Sequence, residues 1–396
     1  MKNGLILKTI LPLLSSFSIF ATEYKVAYLG GMTGPAASVN QYMVRAAKDY
    51  VKYAEISDLL GDHDKIVLDV RDTQYKPDEA KKIFEGLRDD KSILMMVGLG
   101  TGETLAIKKD VEDAKIALLC GSMAREVSDS GYVFRLMSSY EQQIMAILDY
   151  IIAKTPKDKK ARIAFYVHPS SFGQKPVEFV RAEIAARKLN VEIVGDNIVH
   201  NEQTNYATTL EVLKKNKVEF VITHTLAVNS ANLIKEASQL GLVATKFGES
   251  GKITFMGSHY AGGMDLIKLA GKSANGFYWA TSLQSPHGDT AGNLSLKDMA
   301  KKIGADPMIT VSSDYHTAIL QMQISVEAVK RAKEMAKKQH TSVDRATVLA
   351  GLESMHGAEK LDLKAFSPVE FTPQDHVGLH LINMHLLKDE QFVKAD

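Results

Sequence analysis

The chain has 396 residues, 45% of them hydrophobic, with 48 basic and 47 acidic side chains and a formal net charge of +1. That apolar content excludes wholesale disorder, and the interspersed, near-neutral charge argues against nucleic acid or an anionic membrane surface as the main partner. Cys120 is the only cysteine and the twelve histidines show no ligand spacing, so no internal disulfide, cysteine-based metal site or other cofactor is expected.

In chain order, Lys2 and Lys8 precede or begin the apolar run Ile10-Leu-Pro-Leu-Leu-Ser-Ser-Phe-Ser-Ile-Phe20, which ends at Ala21. A charged start, a short apolar middle and a small-residue end make a secretory signal peptide over residues 1–21, implying export to the periplasm. The run is too short for a comfortable transmembrane span, and no cysteine follows it to carry a lipid anchor.

Tyr24 to Leu29 reads as a first strand, and Met43, Ala46, Ala47, Tyr50, Val51 and Ala54 form one face of the helix after it. Ile66 to Val70 is a second strand, and Pro77 with its following acids starts a helix, since proline loses nothing at the first helical position. Ile93 to Val97 is an uninterrupted apolar run, the pattern of a parallel strand covered on both faces. It breaks into Gly98-Leu-Gly-Thr-Gly102 and then a helix, so backbone N–H groups at a helix N-terminus stand ready for a carboxylate or phosphate. Gly98-x-Gly100 fits the start of a dinucleotide fingerprint, but Glu103 fills its last glycine position and the unit comes third in the chain. Ile116 to Leu119 and Tyr132 to Leu136 are further strands, with the small-residue turn Cys120-Gly-Ser-Met-Ala124 between them.

The pattern then restarts. Strands are expected at Ile163 to Val167, near Val191 to Val199, at Phe220 to Thr223 and at Ile253 to Met256, with helices between and Gly241 closing one of them. Two such blocks mean two parallel-sheet domains. The remainder, from Gly276, holds a strand at Phe277 to Ala280, a long helix capped by Ser313-Asp314, and strand-like pieces at Phe366 to Phe371 and Gly378 to Leu386. These read as additions to the two sheets. A cleft between two lobes is where small-molecule sites form.

Four stretches now carry a resemblance: Val26-Ala-Tyr-Leu-Gly-Gly-Met-Thr-Gly-Pro35, Asp72-Thr-Gln-Tyr-Lys-Pro77, Val97-Gly-Leu-Gly-Thr-Gly-Glu-Thr-Leu-Ala106 and Ile253-Thr-Phe-Met-Gly257. In that order and after a signal peptide, the chain resembles a type I periplasmic solute-binding protein, in the leucine/isoleucine/valine-binding branch of ABC transporter receptors. The resemblance implies an α/β fold of two lobes, each a mostly parallel sheet flanked by helices, joined by a three-stranded hinge. It places lobe one at 22–137 plus 283–363 and lobe two at 138–282 plus 364–396. It also implies a monomer that binds a small solute and delivers it to an ABC permease in the inner membrane.

The same resemblance assigns the ligand's carboxylate to Thr101 and Gly102 on lobe one, and its head group to Gly121, Ser122 and Met123. On lobe two it assigns Phe172, expected to be exposed, with Thr225 or Leu226. His259 stands where amino-acid receptors of this branch place a carboxylate for the ligand ammonium, Met123 replaces a hydroxyl residue, and Leu226 a tyrosine. Those departures point toward a carboxylate ligand without an ammonium. Thr101 could alternatively be a helix cap, Gly121 and Ser122 turn residues, and Met123 and Leu226 packing residues. An enzyme reading would rest on His168, Ser170 and Ser171, which share one turn without an orienting acid. A ligand-sensing receptor component is the remaining rival; neighbouring permease or kinase genes would separate the two.

Overall fold

The computed structural model describes residues 21–198, 205–306, 312–363 and 366–396, so the expected signal peptide, Ala21 apart, lies outside the described residues. Every residue of β3 (Ile93–Gly98) is buried, as an apolar run without alternation requires of a strand covered on both faces. It stands inside a six-stranded sheet with β1 (Glu23–Gly30), β2 (Lys65–Asp72), β4 (Ala117–Cys120), β5 (Val133–Met137) and β11 (Val377–Leu379). The order is β11-β5-β4-β3-β1-β2, and the described pairings are all parallel.

The helices between these strands form as their local chemistry directs. Helix α2 (Pro77–Leu87) starts with proline at its first position and Asp78 and Glu79 in its first turn. Helix α1 (Ala37–Ile56) buries Met43, Ala46, Ala47, Tyr50 and Ala54 against the sheet and against the long helix α10 (Ser313–Gln339). Ser312, rather than the expected Ser313-Asp314, caps α10 by accepting the Tyr315 N–H. Helix α3 (Thr101–Asp113) follows the glycine turn directly.

A second, seven-stranded sheet runs β13-β12-β10-β9-β8-β6-β7. Its strands are β6 (Ala161–Val167), β7 (Val191–Ile198), β8 (Phe220–His224), β9 (Thr254–Gly257), β10 (Tyr278–Thr281), β12 (Asn383–Lys388) and β13 (Gln391–Lys394). Pairings from β7 through β10 are parallel; β12 and β13 add an antiparallel edge. Helices α4 (Tyr140–Lys154), α5 (Ser171–Arg187) and α7 (Ala227–Gln239) connect its strands, and Gly241 follows α7 with a positive φ of 65°. The architecture is therefore α/β, two mostly parallel sheets flanked by helices.

The chain passes between the sheets three times, and the three passages are bonded to one another. The Ser138 N–H donates to Ser282 Oγ at 3.3 Å, and the Ser138 hydroxyl lies 3.2 Å from the Leu379 carbonyl and 2.8 Å from that of His380. The last passage thus falls near residue 380. This corrects the expected boundary after residue 363: β11 pairs with β5 in the first sheet, and Phe366, Val369 and Phe371 join the first core. Phe371 meets Phe134 edge-on at 5.1 Å and His376 stacks on the same ring at 3.9 Å. Aromatic packing on β5 holds the segment to the first sheet, a contact across more than two hundred residues that no local pattern announces.

Each sheet has a point where consecutive connections diverge. In the first, β1 is flanked by β2 on one side and β3 on the other; in the second, β6 is flanked by β7 and β8. At such switch points the turns at the carboxyl ends of adjacent strands splay apart and leave a crevice. The two crevices face each other.

Candidate functional site

Between them lies a pocket whose walls come from the carboxyl ends of the parallel strands. On the first lobe Asn40 and Met43 follow β1, Tyr75 follows β2, Gly98 to Thr101 follow β3, and Gly121 follows β4. Tyr140 follows β5. The second lobe adds Phe172 after β6, Leu226 after β8 and Tyr260 after β9.

The first-lobe wall is set by backbone geometry. Gly98 has φ +103°, and a Cβ there would stand 2.1 Å from the Leu29 carbonyl oxygen, so only glycine allows β3 to turn so close to β1. Leu99 continues the turn at φ +66° and donates its N–H to the same carbonyl at 2.8 Å. Gly100 is the N-cap of α3; its N–H donates to Glu103 Oε2 at 2.7 Å, and Thr73 donates its hydroxyl to the other oxygen. Burial raises the Glu103 pKa despite these bonds. Thr101 and Gly102 are the first two residues of α3, where N–H groups have no carbonyl one turn earlier and the helix dipole is positive. The turn thus presents a helix N-terminus, with its positive dipole end, toward the pocket.

The second-lobe wall is aromatic. Phe172 packs on Tyr140 at 5.2 Å and on His224 at 4.5 Å, and Tyr260 approaches Phe172 edge-on at 6.1 Å. At the base of that wall, a Cβ on Gly173 would stand 2.1 Å from the His168 carbonyl oxygen, so glycine lets α5 start tight against β6. His224 lies wholly buried behind Phe172. Its Nε2–H donates to the Phe172 carbonyl at 2.8 Å, which leaves Nδ1 to accept from the Ser258 hydroxyl at 2.6 Å. Burial lowers its pKa to about 3, so the ring is neutral. Among the described residues no Asp, Glu, Lys, Arg or His lines the pocket.

Eight of the nine residues expected at the site divide into three groups. Thr101, Gly121, Phe172 and Leu226 line the pocket together. Phe172 is buried rather than exposed, because the opposing lobe shades it. Ser122, Met123 and Thr225 lie behind the lining: Ser122 Oγ is 2.7 Å from Thr101 Oγ1, the Met123 sulfur accepts from Gln143 Nε2 at 3.6 Å, and Thr225 donates to Asn229 Oδ1 at 3.3 Å. Gly102 borders a broader recess outside the pocket, shared with Glu103, His168 and Ser170. Thr101 is the first helical residue, not the cap, and its hydroxyl is shared with Ser122 rather than spent on the helix end.

His259 is a correction. It does not line the pocket; it is fully buried, with Nε2 3.2 Å from Thr317 Oγ1 and Nδ1 2.7 Å from Thr281 Oγ1. Thr317 already donates its own hydroxyl to the Ser313 carbonyl, so the ring donates from Nε2 and accepts at Nδ1. Its backbone N–H and carbonyl are bonded to Gln143 and Trp279. Desolvation lowers its pKa to about 3. His259 pins the last parallel strand of the second sheet to α10, and the next residue, Tyr260, faces the pocket in its place.

Asn40, Tyr75, Tyr140 and Tyr260 escaped the sequence reading. Tyr75 sits inside the quoted stretch Asp72 to Pro77, and Tyr140 opens the helix after β5, so the rule that sites gather at strand carboxyl ends would have found both. Among the described residues no group of three or more His, Cys, Asp and Glu could hold a metal ion. Nor is any helix of those residues long and apolar enough to cross a membrane.

Two opposed switch-point crevices on a two-sheet frame crossed three times by the chain define a two-lobed binding protein. A family model described as periplasmic binding protein matches residues 23–388, and the chain belongs to that family. The Leu/Ile/Val/Thr-binding protein of Salmonella typhimurium is 24% identical over 370 residues, covering 92% of this chain and 95% of the relative. A solved structure of a branched chain amino acid ABC transporter protein from Thermus thermophilus, with bound valine, superposes with a TM-score of 0.85. It is 30% identical, covering 95% of this chain and 96% of that one. A solute binding protein of an ABC transporter from Rhodopseudomonas palustris BisB5, in complex with 3,4-dihydroxybenzoic acid, has a TM-score of 0.74 at 20% identity. The match covers 94% of this chain and 95% of that one, and it attests the shared fold.

Proposed function

We propose that this protein is the extracytoplasmic solute-binding component of an ABC importer, closing its two lobes on a small carboxylate with an apolar body and presenting it to a membrane permease. The observation that carries the reading is the pairing of the α3 N-terminus and the Thr101 hydroxyl with an aromatic wall of Tyr140, Phe172 and Tyr260, in a pocket where no described lining residue carries an ionisable acid or base. The helix N-terminus and hydroxyl receive the carboxylate; the rings cover the apolar body. The valine-bound relative supports a solute of this size, and the Salmonella relative's name supports a carboxylate-bearing one. The passages at Ser138, Ser282 and His380 serve as the hinge. Export to the periplasm, with residues 1–21 as the signal, fits the family and the role. The matching family model and the binding proteins among the relatives support binding rather than catalysis as its work.

The test is a thermal-shift screen of the mature protein against amino acids, aromatic acids, short fatty acids and amides. A true ligand at about 100 times its dissociation constant adds about 2.7 kcal/mol of stability. Stabilisation by carboxylates and not by their amides is the expected result. A screen in which no carboxylate shifts the melting temperature overturns the reading.

A further inference from the structure

We propose that Asp64 is the receptor for the α-amino group created when the export signal is cut off after Ala21, so that processing ties the start of β1 to β2 and α10. The proposal rests on the export reading above and assigns the bond that is cut.

The chain enters the first sheet at a prepared carboxylate. Thr22 is exposed, yet its backbone nitrogen donates to Asp64 Oδ1 at 2.6 Å. Asp64 itself is buried, in the turn just before β2. Its other oxygen takes Lys333 Nζ at 2.6 Å and the Tyr24 hydroxyl at 3.4 Å. Lys333 belongs to α10 and also donates to the Leu60 carbonyl at 2.8 Å, so β1, the turn before β2 and α10 meet on one side chain. Burial disfavours the charged form of Asp64, but the bonds from Lys333 and Thr22 outweigh it and hold the carboxyl below its ordinary range. The Thr22 carbonyl accepts the Lys65 N–H at 3.0 Å, next to the Glu23–Lys65 pair that opens the β1–β2 ladder. Among the described residues Thr22 is the first with both backbone groups bonded.

Cutting the Ala21–Thr22 peptide bond consumes one water, and a signal-removing peptidase of the cell supplies the catalysis. The water oxygen goes to the Ala21 carbonyl carbon, which leaves as a carboxylate, and the Thr22 nitrogen ends as an ammonium. That nitrogen keeps its place on Asp64 while its charge rises from zero to one, which adds a Coulomb attraction to the existing bond. Before the cut, Asp64 and Asp62 share the one cation of Lys333, which lies 3.5 Å from Asp62. The new ammonium brings this group to two charges of each sign. Glu23 and Lys65 pair with each other at 3.1 Å. Lys91, Lys330, Glu334 and Lys337 border the same recess but are exposed, so solvent and salt screen them more strongly than the direct contact at Asp64. A chain cut elsewhere leaves an uncharged amide at this position.

The test begins with the full chain expressed in a bacterium that has a periplasm. N-terminal sequencing of the exported protein should read Thr22-Glu-Tyr24. NMR titration of that mature protein should then give an α-amino pKa of about 8.5 or higher, against the ordinary value of about 7.7–8.0. Asp64→Asn should return it to the ordinary range. Should that variant fail to fold, a mature chain with one extra glycine before Thr22 takes its place, and its displaced α-amino group should titrate in the ordinary range. An ordinary pKa in the wild type overturns the role of Asp64, as does a raised value that survives both changes. An exported chain that starts at another residue overturns this proposal and leaves export standing. A chain that stays in the cytoplasm with residues 1–21 attached overturns the export reading, and this proposal with it.

Discussion

Thr101 Oγ1 and Ser122 Oγ lie 2.7 Å apart, both buried, tying the turn after β3 to the turn after β4. Thr101 lines the pocket and Ser122 lies behind it, so the pair joins the pocket wall to the core.

Thr101→Val keeps the shape and removes that hydroxyl. Affinity for carboxylates should fall by about 1–3 kcal/mol, read by isothermal titration. Ser122 retains the Ala124 N–H at 3.2 Å, so the melting temperature should drop only slightly. Unchanged affinity with a lowered melting temperature would mean that Thr101 only joins the two turns.

Gly98→Ala should destabilise the protein by about 2 kcal/mol or more, because the new methyl meets the Leu29 carbonyl and φ stays at +103°. Urea denaturation measures this. A midpoint equal to wild type would show that β3 does not need to turn so tightly against β1.

His259 predicts a pH dependence. Its folded pKa of about 3 lies below the ordinary 6.5, so between those values the unfolded chain binds the extra proton. Stability is then fully present above pH 6.5 and is lost as pH falls toward 3, by about 1.4 kcal/mol per pH unit for each such histidine. His224 acts in the same direction, and buried Glu103 and Glu141, whose pKa values are raised, oppose both. His259→Asn removes one titrating group, so its stability-versus-pH slope between pH 6.5 and 4 should be flatter than wild type by that amount. Equal slopes would place the ring in contact with solvent. His259→Glu should lose stability and gain no affinity for amino acids, since its carboxylate would point at Thr281 and Thr317 rather than into the pocket.

Pairing of Val377 and Leu379 with β5 predicts that native-state hydrogen exchange protects these residues together with Met137 and Arg135. Under increasing urea they should open as one unit with the first sheet. Exchange of Leu379 in step with β12 instead would assign the segment to the second sheet.

Local periodicity and turn chemistry determined much of this protein. The run Ile93 to Val97 was legible as a doubly covered strand, Pro77 as a helix start and Gly98 to Gly102 as an anion-ready turn. Each depends only on backbone geometry within a few residues. The two strand-helix blocks and the four quoted stretches fixed the fold class and family for the same reason. Tertiary structure alone decided which of two neighbours, His259 or Tyr260, faces the pocket. That choice is made by Thr281 and Thr317, 22 and 58 residues away, whose hydroxyls draw the imidazole inward and turn the phenol out. It also decided that residues 366–379 return to the first sheet, because Phe134 and its aromatic partners lie far off in sequence. A period along the chain reports which face is buried; it carries no record of the distant hydroxyl or ring that claims a given side chain.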